Sequence, residues 1–248
     1  AAALNRRVRS PLPSRVKRLC GEKTVARHTG DDTVNALVAD KPAGGRFLAW
    51  NSMPGEGATI TYSFMSRAPD YGDAGDKNGF VPFTEHMKTL ARAVLAQWSA
   101  TANLTFVEVE DDGDGGQIRF GRNHQTGSLL GYAHYPPPGG DPENGLRNPN
   151  PGDIYVNKYH ADIIHGDDGS FGFWVYVHEL GHTLGLKHPH DTINSRLSFG
   201  KYGTGQYDLD EYTIMSYNDN SHSYVAYDPI TPMVLDVIAL QYLYGKNM

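Results

Sequence analysis

Between Thr84 and Ala102 the apolar residues Met87, Leu90, Ala91, Val94, Leu95 and Trp98 recur at i, i+3, i+4, i+7, i+8 and i+11. This is the stripe of a helix with one face turned to a core, and Thr84 stands where an N-cap belongs. Ala58 to Met65 follows a different period, with Ile60, Tyr62 and Phe64 alternating as in a half-buried strand. Leu104–Val109, Ile118–Phe120, Gly131–Tyr135 and Asp153–Asn157 read as further short strands. Two more long apolar segments predict helices: one opens at Phe171 behind the candidate cap Ser170, and one runs from Thr231 to Tyr244. In the last, Met233, Val234, Val237, Ile238 and Leu240 are expected to be largely buried. A shorter helix is expected in Asp31–Asp40, with Val34, Leu37 and Val38 on one side. Glycine, proline and aspartate mark loops at Met65–Phe83, Pro136–Pro151 and Ser195–Asp210. Strands interleaved with long helices in this order predict an α+β domain around a twisted, mixed sheet.

A chain of 248 residues can bury one substantial core without dividing. No stretch reaches the roughly 18 to 20 apolar residues of a membrane span, and no N-terminal stretch reads as a signal peptide. Cys20 is the one cysteine, so no intramolecular disulfide can form. Charge is divided unevenly. Residues 1–30 hold eight Lys or Arg against the single acid Glu22, a balance of +7, so with a total of −6 the remainder carries −13. Residues 1–28 read as an extended basic arm and candidate pro-segment on an acidic body, 29–248. Without aromatic interleaving the arm argues for docking on its own body rather than on nucleic acid or a membrane.

The chemistry sits in Phe171–Pro189, FGFWVYVHELGHTLGLKHP, which contains H-E-x-x-H-x-x-G-x-x-H as His178, Glu179, His182, Gly185 and His188. Residues four apart share a helix face, so His178 and His182 can grip one metal ion. Three imidazole ligands with an open position suit catalytic Zn²⁺, and His188 is the third. For His188 to reach the ion the chain must turn back, and Gly185 can take the left-handed conformation that ends the helix. Glu179 follows the first ligand and is the candidate general base for a zinc-bound water attacking a carbonyl.

This motif resembles that of the metzincins, and the Met-turn such proteins carry is matched by Thr213-Ile214-Met215-Ser216-Tyr217, whose methionine lies 27 positions after His188. Within that clan the chain is similar to the serralysins, through His188-Pro189 with Asp191 soon after, the TIMSY turn and the closing LDVIALQYLYGKNM. The resemblance covers about Thr29 to Met248. It implies a metzincin-like zinc protease domain with an active-site helix and Met-turn, hydrolysing peptide bonds of extracellular proteins. It also implies secretion from a Gram-negative bacterium by a type I system, although the Ca²⁺-binding glycine-rich nonapeptide repeats that usually follow are not in the sequence. By resemblance Met215 floors the zinc site, and Tyr217 is a displaceable further ligand able to donate to an oxyanion. His190, where the pattern suggests a small residue, enters as a weak competitor for metal.

Gly131–Tyr135 looks like the metzincin edge strand against which substrate lies, making Tyr132, Ala133 and His134 the candidate substrate-binding residues. Glu110, Asp111, Asp112 and Asp114 crowd a glycine-rich loop whose order is not that of an EF-hand; a solvated turn and a Ca²⁺ site are both open there. Cys20-Gly21 matches one pair of the cysteine switch of matrix metalloproteinase precursors, so Cys20 is a candidate inhibitory zinc ligand beside the plainer reading of a free thiol. The expected protein is thus a monomeric zinc endopeptidase acting on extended polypeptides. Its rivals are a peptide- or metal-binding pseudo-enzyme and a latent precursor.

Overall fold

A computed structural model of the chain describes residues 29–40, 46–112, 115–140, 151–192, 198–218 and 228–247. Five strands form one mixed sheet: β1 (Ala58–Phe64), β2 (Leu104–Glu108), β3 (Ile118–Asn123), β4 (Gly131–Ala133) and β5 (Ile154–Asn157), in the order β2-β1-β3-β5-β4. The first four in that order are mutually parallel and β4 runs antiparallel to β5 at the edge. The expected α+β domain with a mixed sheet is what the chain forms.

Helices α1 (Asp32–Leu37), α2 (Ala74–Lys77), α3 (Glu85–Thr101), α4 (Ala161–His165), α5 (Phe171–Thr183), α6 (Phe199–Tyr202) and α7 (Val234–Tyr244) complete the described fold. In α3 the six stripe residues are the buried ones, and Thr84 Oγ1 accepts the Met87 N–H at 3.3 Å as its cap. Trp98 on that stripe reaches across to α5, where its indole N–H donates to the Val177 carbonyl at 3.2 Å. The apolar side of the sheet and the buried faces of α3, α5 and α7 thus share one core.

Two segments read as loops contain short helices, α2 and α6, and α4 precedes the active-site helix; pieces of four or five residues are too short for a periodic signal. A further correction concerns α7. Its inward face is Asp236, Ala239, Leu240, Leu243 and Tyr244, while Val234 and Ile238 are 55% and 42% exposed. The helix is anchored by a polar residue, because the buried Asp236 carboxylate accepts from the Thr213 hydroxyl, from Ile214 N–H at 2.8 Å and from Met233 N–H at 2.8 Å.

Candidate metal centre

Helix α5 gathers the site. Ser170 Oγ accepts the Phe173 N–H at 3.1 Å, which starts the helix. At the other end Gly185 N–H bonds to the His182 carbonyl and Leu186 N–H to that of Gly181, both at 3.0 Å, the paired bonds of a Schellman stop. Gly185 has φ +98°, and a Cβ there would run into the Leu48 carbonyl oxygen, so only glycine fits. The chain then doubles back: Lys187 N–H bonds to the Leu37 carbonyl at 2.7 Å, and His188 is delivered onto the histidine face of α5.

The Nε2 atoms of His178 and His182 each lie 3.1 Å from Nε2 of His188. Every second ring nitrogen is held from behind. His178 Nδ1–H donates to the Ile214 carbonyl at 2.8 Å, His182 Nδ1–H to the Leu186 carbonyl at 2.8 Å, and His188 Nδ1–H to the Asp191 carboxylate at 2.7 Å. A carbonyl or carboxylate oxygen accepts, so the protons sit on Nδ1 and three Nε2 lone pairs converge. Burial, reinforced by the neighbouring imidazoles, keeps the rings neutral: His178 is held well below its ordinary range, His182 falls to about 3, and His188 is lowered.

Glu179 lines a cavity together with His178; it is 6% exposed, and its buried Oε2 has no hydrogen-bond partner. Burial pushes its carboxyl up to about 8. Three converging neutral imidazole nitrogens beside an unsatisfied carboxylate fit Zn²⁺ with one position left open. Below the helix, Met215 is fully buried, and a Cβ on Gly181 would meet its Sδ at 2.7 Å. Tyr217 stands at the rim, 58% exposed, with its hydroxyl donating to His188 Nε2 at 2.6 Å.

The family model for Matrixin, Peptidase_M10, matches residues 49–211. The chain belongs to the matrixin family. Among the curated relatives of this matrixin domain, a serralysin of Proteus mirabilis is 33% identical over 80% of the chain and 42% of its own length. Serralysin G of Dickeya chrysanthemi is 32% identical over 81% of the chain and 42% of its own, and the metalloprotease AprA of Pseudomonas entomophila 27% over 89% and 45%. The chain therefore spans less than half the length of these relatives, and it is a metzincin domain of the serralysin type. Zinc is the metal that such domains use, and His178, His182 and His188 form a buried group able to hold it; His188, His190 and Asp191 form a second, more exposed group of possible ligands among the described residues.

The other predicted residues of the matrixin domain are placed as follows. Gly131, at the start of β4, lies so close to Glu179 that a Cβ would meet its Oε1 at 2.9 Å. Tyr132 and His134 turn their side chains the opposite way, to the buried Asp76, at 2.9 Å from the phenol and 3.3 Å from the imidazole. Their backbone groups face β5, as His134 N–H bonds to the Asp153 carbonyl at 2.9 Å. In an antiparallel ladder the groups of Gly131 and Ala133 then face the open edge. His190 is not among the three converging nitrogens; its ring lies parallel to that of His188 at 5.1 Å and its Nδ1 is 3.7 Å from Asp208. In the acidic loop, Asp111 turns inward to a buried ion pair with Arg119 at 2.6 Å, and Asp114 lies outside the described residues. Cys20 and the rest of the basic arm lie outside them as well.

Several functional positions went unread in the sequence. Asp191 enters the sequence reading only as part of the serralysin pattern, although its spacing of three from His188 suits a partner for the ring. The Ile214 and Leu186 carbonyls left no signal, since any residue supplies one. Gly131 and Gly181 were visible as glycines, but their reason is a contact made by residues distant in sequence.

Proposed function

We propose that the chain is the catalytic part of a zinc-dependent endopeptidase, with residues 29–248 as the catalytic domain and 1–28 as a basic arm and pro-segment. The observation that carries this reading is the convergence of three unprotonated Nε2 atoms beside the unpartnered Glu179 carboxylate. His178, His182 and His188 would hold the ion, and Tyr217 would be a displaceable fourth protein ligand. When bound, zinc acidifies water to a pKa of about 7 and polarises the scissile carbonyl.

The chain's own groups supply the remaining steps. An extended polypeptide adds to the free edge of β4 through the backbone of Gly131 and Ala133, with little demand on its side chains. Glu179 takes the proton of the attacking water on its carboxylate and returns it to the amide nitrogen that leaves. Tyr217, whose hydroxyl lies 2.6 Å from His188 Nε2 and so within reach of the ion's place, would swing that hydroxyl aside to donate to the oxyanion. From the likeness to serralysins we extend the reading to a secreted monomer acting on extracellular proteins.

The test is elemental analysis together with casein hydrolysis, before and after removal of metal by a chelator. One zinc per chain, with hydrolysis lost on chelation and restored by Zn²⁺, is expected. A chain that binds no zinc, or that cleaves casein without metal, would overturn the proposal.

A further inference from the structure

Strand β4 has three residues and, among the described strands, pairs only with β5, so its own ladder holds it by few hydrogen bonds. A second hold lies on the face turned away from Glu179. There the Tyr132 hydroxyl donates to Asp76 Oδ1 at 2.9 Å, and the His134 Nε2–H donates to the same oxygen at 3.3 Å. Residues two apart share a strand face, so one carboxylate grips β4 twice. Asp76 is itself fixed: it is fully buried on α2, and its Oδ2 accepts the Asp73 N–H at 3.2 Å in that helix's capping box. Asn123 of β3 closes the clamp, donating to the Tyr132 hydroxyl at 2.6 Å and to the Gly75 carbonyl at 3.1 Å. The Tyr132 ring stacks on Tyr155 of β5 at 5.3 Å, which steadies the direction of its hydroxyl.

We propose that Asp76 is a positioning residue for substrate, holding β4 in the register that presents the Gly131 and Ala133 backbone groups to an extended polypeptide. This rests on the endopeptidase reading above. The register pairs Gly131 with Val156 and Ala133 with Ile154, and Asp76 acts on it through Tyr132 and His134. With the clamp removed, β4 spends part of its time out of register. A substrate that needs the whole edge then binds more weakly, in proportion to the time the edge is formed. Once such a substrate is bound the edge is complete, and the chemical step proceeds as before. A role in stability alone makes a different prediction, because the molecules that remain folded would treat all substrates alike.

The experiment measures kcat and KM for a hexapeptide that runs the length of β4 and for an acyl-dipeptide amide that reaches little beyond the scissile bond. Asp76→Ala is expected to raise KM for the hexapeptide about tenfold, as for an edge formed about a tenth of the time, with kcat held within about twofold. The short substrate should change by about twofold or less in both constants. Tyr132→Phe removes one hydroxyl and keeps the ring; it is read in parallel should Asp76→Ala not fold, and should raise the hexapeptide KM about threefold. Equal losses on the two substrates, or a loss confined to kcat, overturn the proposal. The hexapeptide is also titrated against zinc-loaded Glu179→Ala protein with and without Tyr132→Phe. If wild type cleaves neither substrate while Tyr132→Phe weakens hexapeptide binding about threefold, the endopeptidase reading fails and the clamp stands. Hexapeptide binding that Tyr132→Phe leaves unchanged, or that is absent altogether, overturns the clamp.

Discussion

His178 Nδ1 lies 2.8 Å from the carbonyl oxygen of Ile214, so the first histidine of α5 is oriented by the residue just before the Met-turn methionine. Ile214 is in turn fixed from α7, since its N–H donates to the buried Asp236 carboxylate. A ring that could rotate about its Cβ is thereby tied through one peptide unit to the last helix. The turn and the helix that follow the zinc motif are part of the metal centre's frame.

Asp236→Ala is therefore expected to destabilise the fold by about 3 kcal/mol or more, because it strands three buried donors at once. Thermal melts of the two proteins check this. A change of less than about 0.5 kcal/mol, the range of an ordinary surface substitution, would mean that the Met-turn holds itself.

Asp191→Ala should weaken zinc binding by roughly 10- to 100-fold while leaving the melting temperature of the metal-free protein nearly unchanged. Asp191 is a partly exposed residue whose carboxylate holds the His188 ring by one bond. Competition with a chelator of known affinity reads the first quantity. Unchanged affinity would show that the turn at Gly185 alone aims His188.

Gly131→Ala tests the close passage of β4 over Glu179. The new methyl would press on Glu179 Oε1 at 2.9 Å and on its Cγ at 3.1 Å, displacing the carboxylate proposed as base without touching a histidine. We expect kcat to fall about tenfold or more at normal zinc content, since a misplacement of about 1 Å can cost a hundredfold. A rise in KM at constant kcat would assign Gly131 to binding instead.

Asp153 sets a pH dependence of stability that lies away from the metal centre. Burial raises its carboxyl from 3.8 to about 7, against the hydroxyls of Tyr71 and Tyr155 and the charge of Arg119. The folded chain thus binds this proton more tightly than the unfolded one. The contribution is fully present below about pH 4 and is lost as pH rises to about 7. Asp153→Asn removes it, so the variant should gain on wild type between pH 5 and pH 8, by on the order of a few kcal/mol. Parallel melting curves at the two pH values would refute the assignment.

The sequence made α3 legible because its stripe is clean and capped, and it made the histidines legible because their spacing is the geometry of a helix end. α7 was misread for the opposite reason. Val234, Leu235, Val237 and Ile238 are apolar on nearly every side, so periodicity offered no single face, and a buried aspartate decided the rotation. Asp76 likewise carries only a loop signal in the sequence, since its partner Tyr132 lies 56 positions away.

Tyr217→Phe should lower kcat with little change in KM, because the hydrogen bond proposed for its hydroxyl is made only in the transition state. Zinc content should hold, as three histidines remain. A KM effect alone would make Tyr217 a binding residue.

The central claim, that three histidines hold zinc while Glu179 moves the proton, is tested most directly by Glu179→Ala, with zinc content and casein hydrolysis measured on the same sample. The account predicts one zinc per chain and a loss of hydrolysis of roughly 10²- to 10⁴-fold. Hydrolysis retained at full zinc content would contradict it.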